Sequence, residues 1–154
     1  MWFPGALAVA RRWGGPAWAA WRNERLIAVA VCFDPGRVAP QGRRQLYEAS
    51  FWLAGPGPYS RGLRLQQVMD EHRPPGPHVY LWLLGTAPDA QRTGAASALL
   101  AEVAAHADAQ QLPTYLETMN PRNVPFYCGR GFQVRGQAAM PRGARAWFMQ
   151  RPPG

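Results

Sequence analysis

The run Leu83-Leu84-Gly85-Thr86-Ala87-Pro88-Asp89-Ala90-Gln91-Arg92-Thr93-Gly94-Ala95-Ala96 carries an apolar segment through a turn of small residues into an amphipathic one. Its last six residues fit the pattern Gln/Arg-x-x-Gly-x-Gly/Ala. Where such a turn opens a helix, the first backbone N–H groups have no partner inside the helix. The helix dipole adds partial positive charge there, so the place suits a phosphate. A β-carbon at Gly94 would hold the backbone away from a pyrophosphate, and Ala96 lets the helix pack close to its strand. Further along, Asn123-Val124-Pro125-Phe126-Tyr127, followed by Gly131-Phe132, supplies a phenol suited to proton chemistry. Glu117 closes an apolar run behind Tyr115 and Leu116, where a carboxylate must be solvated or paired. Ser97, inside the helix, is better placed to bond a phosphate than to attack a carbonyl. These parts suit group transfer from a phosphorylated cofactor.

Each part also has a plainer reading. A glycine opening a helix is common, and it gains weight here from following a buried strand. Phe126 and Tyr127 read equally well as core aromatics, with Gly131 as the helix stop. A glutamate at a strand end is often only solvated, although strand ends are where α/β folds build their sites.

The elements around these residues follow from periodicity. Phe3 to Trp13 reads as a short helix. Trp18 to Trp21 and Leu26 to Phe33 read as a hairpin across Arg22-Asn23-Glu24-Arg25. Gln41 to Leu53 and Tyr59 to His72 carry helical spacing, and the prolines after His72 leave that side chain facing solvent. His78 to Thr86 is nearly continuous in apolar residues, the pattern of a strand covered on both faces. Leu99, Leu100, Val103 and Ala107 share one face of a helix from Gly94 to Gln110. A strand over Thr114 to Glu117, a helix over Asn123 to Arg130 and two paired strands, Phe132 to Val134 and Ala146 to Gln150, complete the chain. The order predicts one α/β domain over residues 1–154 with a mixed sheet: a hairpin and helices at 16–77, and a cofactor-binding half at 78–154.

Composition narrows the function classes. With 154 residues, 47% of them hydrophobic, the chain suits one globular core. The formal charge is +8 and all 17 basic residues are arginine. Arginine favours polyanionic ligands, but these are scattered, with no basic helix, so nucleic-acid binding is the weaker alternative and is not expected. No apolar run reaches the roughly 18 residues of a membrane span. Arg11 and Arg12 follow the apolar N-terminal run instead of preceding it, which argues against export and for a cytoplasmic protein. Cys32 and Cys128 read as reduced cysteines, and no ligand cluster has metal spacing.

The segments Leu84 to Gln91, Tyr115-Leu116-Glu117-Thr118, Pro121 to Tyr127 and Pro141 to Met149 resemble the GCN5-related N-acetyltransferase (GNAT) superfamily. Within it they are most similar to the puromycin N-acetyltransferase-like members. The resemblance implies an acyl-CoA N-acyltransferase fold and acetyl transfer from acetyl-CoA to a primary amine of a small molecule, by direct attack in a ternary complex. It implies that Leu84, Gly85 and Thr86 bind pantetheine and polarise the thioester carbonyl, and that Gln91, Arg92, Thr93, Gly94, Ala95, Ala96 and Ser97 wrap the pyrophosphate. Asn123 would support the cofactor arm, Tyr127 would protonate the leaving thiolate, and Glu117 would act as general base. The family often has glycine where this chain has Arg92 and Ala96. Members usually begin with a strand and helix before the first hairpin, so the chain reads as shortened, lacking the first strand and first helix. A shortened relative that binds CoA without turnover is the alternative, and an exposed sheet edge suggests pairing with a second copy.

Overall fold

The structure, a computed structural model, describes residues 14–36, 67–140 and 143–154, together with Gly5, Ala8 and Arg64. Six strands form one mixed sheet in the order β1-β2-β3-β4-β6-β5. They are β1 (Ala17–Arg22), β2 (Arg25–Phe33), β3 (Val79–Thr86), β4 (Thr114–Thr118), β5 (Gln133–Ala139) and β6 (Arg145–Arg151), and two α-helices are interleaved, α1 (Ala95–Ala109) and α2 (Asn123–Cys128). The last strand lies between β4 and β5. This is the expected mixed α/β fold. The chain divides into two compact units, residues 1–38, 76–116 and 150–154 in one and residues 39–75 and 117–149 in the other.

In the first unit, β1 and β2 are antiparallel and pair as far as Arg22–Arg25. Only Asn23 and Glu24 form the turn, at φ 47° and 60°. Two left-handed residues match the right-handed twist of the flanking strands, so the expected four-residue connection tightens to two. The register shifts after Ala20, where Ala20 faces Ala28 and Trp21 faces Leu26, leaving Ile27 as an extra residue on β2. Residues Ala28 to Cys32 are wholly buried. β2 is also antiparallel to β3, from Ala28–Thr86 to Phe33–Tyr80, with a register shift after Val31 that leaves Trp82 as an extra residue on β3. On the other side of β3 the parallel ladder joins Val79 to Thr114 and Tyr80 to Tyr115. Val79 to Leu81 are accordingly buried, whereas Trp82 to Thr86 are half-buried, not covered throughout as their apolar run suggests.

Leu99, Leu100, Val103 and Ala107 are the buried face of α1, as the spacing predicts. Each large apolar side chain so covered contributes about 1.5–3 kcal/mol. Asp108, on the same helix, receives Nη1 and Nη2 of Arg151 at 2.7 and 2.8 Å and the Gly154 amide at 2.8 Å. His106, in the last turn, meets Asp34 at 2.8 Å and lies edge-on to Trp18.

In the second unit, residues 67–71 are helical. His72 is half-buried and stacked on Phe148, with ring centroids 4.2 Å apart, so it is not solvent-facing as expected. Gly136 explains the contact, because a β-carbon there would stand 3.1 Å from the His72 ring. β5 runs to Ala139, well past Val134. Gly5 and Ala8 are helical within the expected Phe3 to Trp13 helix. The rest of that segment, the place of a first strand and helix, and the Gln41 to Leu53 helix lie outside the described residues.

The Arg151 guanidinium, then the Gly154 amide, hold the Asp108 carboxyl below its ordinary 3.8. A lowered folded-state value stabilises fully above the unfolded value and loses that stabilisation as pH falls through the folded one. Asp108→Asn should therefore destabilise by about 1 kcal/mol at pH 7. Urea denaturation should show the difference from wild type shrinking as pH falls below 3.8. A pH-independent difference would mean the tail is held by something other than this charge.

Candidate active site

The turn between β3 and α1 begins where the Ala87 amide donates to the Ile27 carbonyl at 2.8 Å. Ile27, Ala87 and Ala90 form a buried apolar cluster against which Ala20 and Ala95 pack. Pro88–Ala90 makes a single 3-10 turn. Arg25 grips it from the hairpin, donating to the two Asp89 carboxylate oxygens at 2.6 and 3.0 Å. That guanidinium holds the Asp89 carboxyl below its ordinary value. The Thr93 hydroxyl donates back to the Ala90 carbonyl at 2.7 Å, closing the loop on itself.

The chain then enters α1 through two left-handed residues, Arg92 at φ 62° and Gly94 at φ 89°. Gly94 is the N-cap and provides no side-chain hydrogen bond to the helix. The Gly94 carbonyl accepts from Ala98 at 3.0 Å, so the helix winds from its first residue. A β-carbon built on Gly94 meets nothing within 4 Å. Glycine is required there by backbone conformation, and the space above it is open to a ligand. Gln91 to Gly94 are exposed and Ala95 to Ser97 half-buried. The first amides of α1 therefore meet the conditions for binding an anion.

Leu84, Gly85 and Thr86 lie just upstream, half-buried, and pair with β2 at Ala30, Val29 and Ala28. Among the described residues, the ladder between β3 and β4 stops at Tyr80 and Tyr115. The backbone groups at the last residues of β3 that point away from β2 are thus left for a ligand, which suits the extended amide arm of pantetheine.

Glu117, Asn123 and Tyr127 belong to the second unit. Glu117 is half-buried at the end of β4. Thr118, which follows it, was not anticipated: its hydroxyl accepts from Asn123 Nδ2 and from the Asn120 amide, both at 3.3 Å. The Asn120 side chain accepts the Arg122 amide at 3.1 Å. Side chain-to-backbone turns of this kind shape the approach to α2. A threonine beside the glutamate was the available signal.

Tyr127 is 8% exposed. Its carbonyl accepts from the Arg130 and Phe132 amides at 2.9 and 3.2 Å, and Gly131, at φ 84°, donates to Cys128 at 3.1 Å. This is the Schellman ending of a helix, complete with a ring contact between Tyr127 and Phe132 at 5.7 Å. Phe126 packs edge-on to Tyr127 at 5.2 Å. Burial pushes the Tyr127 phenol above its ordinary 10.0, so it keeps its proton at neutral pH. Burial also pushes the Cys32 thiol up, and Cys128 is exposed and free. Among the described residues, no three His, Cys, Asp or Glu side chains gather as a metal site, and no helix is long and apolar enough to cross a membrane.

Residues 2–132 match the acetyltransferase (GNAT) family. The chain belongs to that family. GNAT enzymes transfer acetyl from acetyl-CoA to amines, and this chain is accordingly an N-acetyltransferase. Solved structures share the fold. The crystal structure of histone acetyltransferase HPA2 and related acetyltransferase from Corynebacterium glutamicum is similar at 24% identity and TM-score 0.66, over 98% of this chain and 77% of that one. The polyamine N acetyltransferase of Drosophila melanogaster is similar at 12% identity and TM-score 0.68, over 88% and 74%. The NatC complex bound to Gag peptide and CoA is similar at 14% identity and TM-score 0.61, over 99% and 78%. Seen beside the glycine that GNAT members often carry at its position, Arg92 is a large side chain on a left-handed backbone.

That conformation costs an L-residue roughly 1–2 kcal/mol, part of which glycine returns through its freer unfolded chain. Arg92→Gly should therefore raise stability by about 0.5 kcal/mol, measured by urea denaturation, while weakening CoA binding a few-fold at low salt. Unchanged affinity would remove Arg92 from the cofactor contacts. Gly94→Val should cost stability and weaken CoA binding together, and unaltered binding would move the pyrophosphate elsewhere.

Proposed function

We propose that this GNAT enzyme transfers the acetyl group of acetyl-CoA to a primary amine of a small molecule within a ternary complex. The observation that carries the reading is the uncapped start of α1 behind left-handed Arg92 and Gly94, directly downstream of β3. The amides of Gly94 to Ser97 and the neighbouring Gln91 to Thr93 bind the pyrophosphate. The edge of Leu84, Gly85 and Thr86 holds pantetheine and polarises the thioester carbonyl. Asn123, braced by Thr118, supports the cofactor arm.

The amine must be uncharged to attack. Glu117 takes a proton from the incoming ammonium, directly or through water, and the freed nitrogen attacks the carbonyl carbon. As the tetrahedral centre collapses, the C–S bond breaks, the Tyr127 phenol gives its proton to the thiolate, and the nitrogen loses its second proton to solvent to leave a neutral amide. The proton held by Glu117 then returns the phenolate to its starting form by way of solvent. A phenol whose burial favours the protonated form suits this role. Positioned acid–base groups contribute about 10²–10⁴-fold each, and holding amine and thioester together supplies much of the remainder. A small-molecule acceptor is supported by the motif similarity to puromycin N-acetyltransferase-like members and by the likeness to a polyamine enzyme.

Saturating acetyl-CoA at 100 times its dissociation constant should stabilise the protein by about 2.7 kcal/mol, read as a rise in Tm. Thiol release should then follow with a panel of small primary amines. No Tm rise would refute the cofactor assignment, and a rise without thiol release on any amine would leave a CoA-binding protein. Tyr127→Phe should lower kcat at least 100-fold with CoA affinity within two-fold, and equal loss of both would make Tyr127 structural.

A further inference from the structure

We infer that Arg130 is a positioning residue that holds the Tyr127 phenol in its working place, an inference that rests on the reading of Tyr127 as the proton donor. Tyr127 stands near the end of a helix of only six residues, α2, whose first residues receive no capping side chain from Arg122. So short a helix has little cohesion of its own, because its last carbonyls have no amides beyond them to accept from. Two of those carbonyls belong to Phe126 and Tyr127. The Tyr127 carbonyl is satisfied by the Arg130 amide and by the Schellman amide of Phe132. The Phe126 carbonyl receives Nη1 of Arg130 at 2.7 Å.

The same guanidinium lies over the Phe126 ring, 3.8 Å from its centroid. Phe126 in turn meets the Tyr127 ring edge-on. One side chain thus closes the final turn through a charged hydrogen bond and fixes the aromatic wall on which the phenol rests. A cation held on a ring face and a donor held on a carbonyl constrain each other, since moving either breaks both. Lysine at this position retains a cation but has a single ammonium to divide between carbonyl and ring.

If Arg130 acts through Tyr127, its removal should cost nothing once the phenol is gone. Arg130→Met keeps the apolar stem and removes the donors; Arg130→Lys restores a cation. With acetyl-CoA and the best acceptor of the amine panel, Arg130→Met should lower kcat about ten-fold with KM for acetyl-CoA within two-fold. Arg130→Lys should recover only part of the loss. In a Tyr127→Phe background Arg130→Met should cost nothing further, as expected for residues acting as one unit. A readout that needs no acceptor is the ¹⁹F spectrum of protein labelled with 3-fluorotyrosine. Its Tyr127 line, assigned by its absence from Tyr127→Phe, should shift or broaden in Arg130→Met and return in part in Arg130→Lys. An equal kcat loss in both backgrounds, a loss carried by KM, or an unmoved Tyr127 line in Arg130→Met overturns the inference. An unchanged kcat in Tyr127→Phe alone refutes the proton-donor reading instead, and that outcome appears in a different variant.

Discussion

The turn between β3 and α1 depends on a grip from the β1–β2 hairpin. A segment that presents free amides to a ligand cannot use those amides to hold its own shape. The turn from Ala87 to Gly94 is therefore held through other atoms: the Ala87 amide on Ile27, the Asp89 carboxylate on Arg25, and the apolar contact of Ile27 with Ala87 and Ala90. Two of these three contacts come from Ile27, the extra residue of the hairpin register. Bulges re-aim a strand where regular pairing would not reach, and this one supports the loop that leads into α1. The loop is fixed from behind, so its shape does not rest on the first turn of α1.

The same economy governs β3. Its partnership with β2 runs from Tyr80 to Thr86 with one register shift at Trp82, whereas its parallel ladder to β4 is short. A strand paired on both sides throughout would have no backbone groups to offer an extended ligand. A strand paired on neither would not hold its position. Among the described residues, β3 is anchored to β2 from Tyr80 to Thr86 and its ladder to β4 stops at Tyr80. The half-burial of Trp82 to Thr86 is the surface trace of that stop.

Much of this was legible in the sequence, and the division has physical reasons. The face of α1 follows from Leu99, Leu100, Val103 and Ala107, because helical burial repeats along the chain. The placement of Gly94 at a helix start follows from a small-residue turn after an apolar run. By contrast, the Arg25–Asp89 pair joins residues 64 apart in sequence, and no local pattern announces such a contact. The bulge at Ile27 is a matter of register between strands, invisible to the periodicity of either one. The stacking of His72 on Phe148 likewise depends on the missing side chain of Gly136, so a histidine beside prolines that reads as exposed is in fact half-covered.

The two sequence readings of Tyr127, core aromatic or proton donor, turn out not to compete. The Schellman ending at Gly131 is the helix stop of the plain reading, and the contacts with Phe126 and Phe132 are its core packing. That packing is also what a proton donor requires. A phenol on a loose or solvated turn would sample many positions and would find water a competing partner. Enclosed at 8% exposure, Tyr127 is held in one place and resists ionisation. The structural role of the ring is the physical basis on which a chemical role of its hydroxyl can stand. The Arg130 contact with Phe126 extends that basis by one residue, from the Tyr127 ring to the aromatic wall beside it.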